Sequence, residues 1–204
     1  MNERIIVALL GRTGSGKSLT CCLMGKYWNI RYVGLGEGKC GTTEHSKAIK
    51  MIRNHFSVPS ISYNYICYVK RKERFIDDDR KKFKEFKEIF NDCERNIVII
   101  ITHCKQKWVN ENRKTIEDYF GNYPMIGVDF PSNEDDDIDD QRKKMERRTQ
   151  NLNHLLGTFS ILNYNGVKLD VLNSNEATEN EIQKWIGFVP LINIYYKIGS
   201  SGVY

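Results

Sequence analysis

The residues best suited to chemistry in this 204-residue chain lie near its start, in Gly11-Arg12-Thr13-Gly14-Ser15-Gly16-Lys17-Ser18. The octapeptide is a full match to G-x-x-x-x-G-K-[ST]. Its glycines permit backbone angles at which a side chain would clash, so successive N–H groups can turn inward around a phosphate. The positive end of a following helix would point at the same place. In such a cradle Lys17 bridges two phosphates and the Ser18 hydroxyl is a Mg²⁺ ligand. The candidate cofactor contacts are therefore Gly11, Thr13, Gly14, Ser15, Gly16, Lys17, Ser18 and Leu19. A glycine-rich turn carrying an exposed lysine is the alternative.

A second cluster, Gly36-Glu37-Gly38-Lys39-Cys40-Gly41, fits G-x-G-x-x-G. That pattern needs an acidic residue some 20 positions on to hold a ribose, and residues 56 to 72 contain no Asp or Glu, so a loop is expected. After it, Thr43 either closes on Mg²⁺ and a phosphate as a switch or is an ordinary loop threonine. None of the six cysteines forms Cys-x-x-Cys, which excludes a zinc ribbon and a secreted disulfide framework. Cys21 and Cys22 are expected to be small core residues, and His103-Cys104 loop residues beside the ligand. His45, His55 and His154 have no context that selects a role. The acidic run from Asn133 to Asp140 reads as a solvated loop entering a helix, and Lys70-Arg71-Lys72 as a solvated strand exit.

The elements that must position the glycine loop are legible around it. Ile5 to Leu10 is an unbroken apolar run ending in glycine, the pattern of a strand buried on both faces of a parallel sheet. A helix is expected from Lys17 to about Trp28. Ile61 to Val69, Ile97 to Ile101 and the weaker Met125 to Val128 read as further strands. Between them, Phe83, Phe86 and Phe90 follow the acidic Asp77-Asp78-Asp79 at helical spacing. More helices are expected over Asn110 to Phe120 and Asp139 to Phe159, the latter with Met145, Thr149, Leu152, Leu156 and Phe159 on one stripe. Alternating strands and helices predict an α/β fold with ligands beyond the carboxyl ends of the strands.

With 31 Lys+Arg against 26 Asp+Glu the net charge is +5, too mild to imply nucleic acid as a partner. Met1 to Arg12 lacks the form of a signal peptide, so a cytoplasmic location is expected. Trp185 to Tyr196 is apolar on all sides, interrupted by Pro190 and too short to span a bilayer. It is expected to pack on the domain, the alternatives being self-association and membrane contact.

Leu9 to Ser18 resembles the opening of the immunity-associated-protein (IMAP, GIMAP-type) GTPases, a branch of the P-loop GTPases. The segment Arg71 to Asp79 with Phe83 to Phe90, and Ile97 to Lys105, resemble that family more loosely; the likeness spans about residues 3 to 130. It implies a three-layer P-loop NTPase fold with a mostly parallel sheet, truncated at one edge, over residues 1–160, with 161–204 as a C-terminal extension. By the same resemblance Gly14, Gly16, Lys17, Ser18 and Thr43 hold GTP and Mg²⁺, with Ser18 and Thr43 on the metal and His103 beside the base. Two departures stand out. Glu44 to Ser60 contains neither the Asp nor the Gly of the family's Asp-x-x-Gly, and Lys105 stands where an Asp would accept from guanine. The implied function is a GTP-binding switch or scaffold with little hydrolysis and poor choice between GTP and ATP. An ATP-using kinase or ATPase and a non-hydrolysing interaction protein are the alternatives. Association of copies through the nucleotide face is a further expectation.

Overall fold

A computed structural model of the chain describes residues 5–12, 14–25, 29–35, 53–54, 56–57, 60–131 and 138–169, the backbone alone being described for 29–35. Thr13, the Gly36–Gly41 cluster, Thr43, His45, His55 and the apolar Trp185 to Tyr196 lie outside these residues.

The strands are β1 (Ile6–Arg12), β2 (Asn29–Leu35), β3 (Tyr65–Arg71), β4 (Ile97–Thr102) and β5 (Met125–Val128). They form one sheet in the order β2-β1-β3-β4-β5, and every neighbouring pair is parallel. The helices are α1 (Lys17–Met24), α2 (Asp77–Ile89), α3 (Gln106–Glu111), α4 (Arg113–Phe120) and α5 (Ile138–Leu162), and a 3-10 turn, Asn91–Asn96, leads into β4.

Because side chains alternate along a strand, each all-apolar strand serves both faces of the sheet. Val7, Leu9, Tyr65, Cys67, Val98 and Ile100 face Cys21 and Met24 of α1 and Leu152, Leu155 and Phe159 of α5. Leu10, Ile66, Tyr68, Ile99 and Ile101 face Phe83 and Phe86 of α2, Val109 of α3 and Ile116 and Phe120 of α4. Three layers result, as the alternation of strands and helices in the sequence predicts.

Several boundaries depart from the sequence reading. Strand β2 was not expected, because Arg31 and Gly34 break the apolar run that marks a buried strand. The expected strand at Ile61 begins instead at Tyr65. Asn64 turns the chain there: its Oδ1 accepts from Ile6 N at 3.0 Å and its Nδ2 donates to Tyr164 O at 3.1 Å. Helix α1 is shorter than expected, with Gly25 as its cap, and the helix expected from Asn110 is two helices broken at Asn112 (φ −108°, ψ 14°). In α5 the buried stripe is Leu152, Leu155 and Phe159, while Met145 is 68% exposed. That helix's first half is instead tied to the end of β5, by Arg147 to Asp129 and by Arg148 to the Pro131 carbonyl.

Candidate functional site

In the order 2-1-3-4-5 the chain leaves β1 toward one side of the sheet and β3 toward the other, so the segments that follow the two strands diverge and leave a crevice between them. This is the topological switch point of flavodoxin-like doubly wound sheets, the place where such folds bind ligands. Gly11, Arg12 and Gly14 to Ser18 form its rim. Gly14 (φ 78°) and Gly16 (φ 87°) are left-handed, and turns of this kind aim successive N–H groups at one point. Gly16 is also the N-cap of α1 and brings no side chain to cap it. Gly11 is required for a different reason: a Cβ there would stand 2.1 Å from the Val69 carbonyl oxygen on β3.

Lys17, at 6% exposure, is folded into the loop. Its Nζ donates to Arg12 O at 2.5 Å and to Ser15 Oγ at 3.3 Å. Burial pushes its pKa down to about 8. The exposed-lysine alternative therefore fails at this residue. Ser15 is buried, Ser18 is exposed on the first turn of α1, and Leu19 is half-buried among the apolar residues of that face.

The sequence did not single out the floor of the crevice. Lys70, read as part of a solvated strand exit, is 3% exposed and lies 3.1 Å from Asp79 Oδ1, with Glu73 as a second partner. Asp79 is wholly buried at the start of α2, where its other oxygen accepts from Ile76 N at 3.0 Å. Arg12 reaches Asp78 at 3.2 Å and Asp79 at 3.9 Å. The acidic helix start thus neutralises the cations at the ends of β1 and β3. Only the acidic run at 77–79 hinted at this, and it gave no partner.

Thr102, the last residue of β4, donates from Oγ1 to Ser15 O at 2.8 Å. His103 follows, exposed and left-handed (φ 57°), on the same edge of the sheet. Lys105 is exposed at the N-cap of α3. Cys104 and Cys21 are buried, and burial pushes both thiols up to about 12; Cys22 is exposed, against the expectation of a core residue. His154 lies far along α5, its Nε2 3.1 Å from Gln106 Oε1.

The left-handed glycines, the start of α1 and the Lys17 amine lie together at this end of β1. For Mg²⁺, Ser18 is the one expected ligand among the described residues, and no group of three His, Cys, Asp or Glu there could hold a metal ion. No described helix is long and apolar enough to cross a membrane.

Fold and site together define a doubly wound parallel α/β domain with a glycine-lysine loop at its switch point. No family model matches the chain, and no curated protein does. Among solved structures it is similar to a response regulator receiver protein from Sinorhizobium medicae, at 15% identity and a TM-score of 0.32, over 75% of this chain and 98% of that one.

These findings correct the resemblance drawn from the sequence. No family model matches the chain, that of these GTPases included. The sheet supplies a physical reason. The resemblance implies a sheet truncated at one edge, whereas β1 has a parallel neighbour on each side, β2 and β3. The GTP-binding switch, its slow hydrolysis, its GTP/ATP choice and the ATP-using alternative are withdrawn with it. At a TM-score of 0.32 the receiver carries no activity over to this chain.

Proposed function

We propose that the chain is an anion-binding module that takes a phosphate-bearing ligand in the crevice between β1 and β3. The observation that supports it best is the position of Lys17, a buried amine held against its own glycine loop at the switch point. A buried ammonium with two neutral oxygens as neighbours is poorly compensated, and an incoming phosphate supplies the missing charge. Gly14 and Gly16 provide backbone donors around it, while Ser18 and His103 have side chains exposed toward solvent. The proposal is of anion binding and includes no base recognition and no hydrolysis.

The test is calorimetric titration of the whole chain with pyrophosphate. GTP and ATP serve as competitors with and without Mg²⁺, which also tests a metal at Ser18. Binding is expected, weakened about tenfold or more by Lys17→Met, since one charge-assisted contact in a confined site is worth at least about 1.4 kcal/mol. Equal affinity of wild type and Lys17→Met for pyrophosphate would sink the proposal.

A further inference from the structure

We infer that Thr102 is the positioning residue of the glycine loop, holding the Ser15–Gly16 peptide so that the Gly16 N–H is presented to the ligand. The inference rests on the phosphate-binding reading above.

The hydroxyl of Thr102 has one hydrogen and two carbonyls near it, Ser15 O at 2.8 Å and Lys70 O at 3.4 Å; the nearer takes it. In a trans peptide the C=O and the next N–H point in opposite directions, and none of the described peptides is cis. Turning Ser15 O inward to Thr102 therefore turns Gly16 N–H the other way, away from β4. Packing reinforces the hydrogen bond. A Cβ on Gly16 would lie 3.2 Å from Thr102 Cγ2 and 3.3 Å from Oγ1, so the two residues are already close.

Thr102 can act as a fixed post because its own backbone is held on both sides. Its carbonyl accepts from Lys72 N at 2.9 Å, and two residues on Cys104 N donates to Val128 O at 3.2 Å. Between these anchors His103 takes its left-handed conformation, which a non-glycine residue keeps only when its surroundings over-determine it. Thr102 itself is 3% exposed, so it does not touch the ligand and acts through the loop.

The test compares Thr102→Val, which keeps the shape and loses the donor, with Thr102→Ser, which keeps the donor. In Thr102→Val the Gly16 amide resonance should shift in the free protein, and pyrophosphate affinity should fall about tenfold. Thr102→Ser should restore both to near wild type, a rescue that loss of packing alone would not give.

Wild-type affinity and an unmoved Gly16 amide in Thr102→Val would overturn the inference and leave the binding proposal standing. If the wild type does not bind pyrophosphate, the binding proposal falls. The clamp is then judged on the Gly16 amide of the free protein, and an unmoved resonance overturns it. Should Thr102→Val not fold, Thr102→Ala against Thr102→Ser gives the same comparison.

Discussion

At the scale of single residues, Lys17 sets stability against function. Burial lowers its pKa from the ordinary 10.5 to about 8, so the folded chain carries a desolvation penalty whenever the amine is charged. Between about pH 8 and 10.5 the unfolded chain binds more protons at this residue than the folded one. This residue's contribution to stability should therefore rise with pH across that window, by on the order of 3 kcal/mol in total. Below pH 8 both states are protonated and the penalty is constant. Lys17→Met removes it, at the cost of the bonds to Arg12 O and Ser15 Oγ, and is expected to raise stability at pH 7 by about 1 kcal/mol. Urea unfolding of both proteins at pH 7 and pH 10 checks this: the buried thiols of Cys21 and Cys104, raised to about 12, cost both proteins stability over that range, so the wild type should gain relative to the variant. A destabilised variant with the same pH dependence as the wild type would show that the amine's hydrogen bonds outweigh its desolvation. Phosphate binding runs the other way, since it needs the charged amine and should weaken above pH 8.

At the scale of elements, β1 and β3 stay in close contact up to the crevice, and Gly11 is where that contact can be tested. Its absent Cβ would meet Val69 O, a backbone atom of a central strand that cannot swing aside. Gly11→Ala is expected to cost about 3 kcal/mol or more through forced separation of the two strands, read as a lower urea midpoint. A loss under 1 kcal/mol would mean that β1 shifts along β3 to make room. The sequence marked Gly11 only as the first glycine of a motif; its contact with β3 is long-range and leaves no local pattern. The same contrast holds elsewhere. Strands β1, β4 and β5 were legible because burial on both faces demands unbroken apolar runs. The edge strand β2 has one neighbour and tolerates Arg31 and Gly34 in its sequence, so it was missed. Octapeptide spacing gave the loop, whereas Lys70, Asp79 and Thr102 were hidden because each acts on a residue far from it in sequence.

At the scale of the whole molecule, the two cores are stacked on one sheet, and β1, β3, β4 and β5 each contribute to both. Val98, Ile99, Ile100 and Ile101 are fully buried and lie between two hydrogen-bonded neighbours. Their amides should exchange with solvent only by global unfolding, and most slowly of all. The first half of α5 stands apart: Met145 is exposed, and its attachments to the sheet are the polar ones from Arg147 and Arg148. Amides there should exchange by local opening. Ligand binding separates the two modes. A ligand that binds only the folded state slows globally exchanging amides by the full factor set by its concentration over its dissociation constant. Amides that open locally, without breaking the site, do not slow. Saturating pyrophosphate should therefore slow β3 and β4, slow Lys17 to Thr20 of α1 at least as much, and leave residues 139–150 unchanged in hydrogen-exchange mass spectrometry. Equal slowing of residues 139–150 would show that α5 opens only together with the sheet, making the three layers one cooperative unit. If β3 and β4 do not slow under conditions where calorimetry shows binding, the ligand is held elsewhere or also binds the unfolded chain, and the crevice between β1 and β3 is not its site.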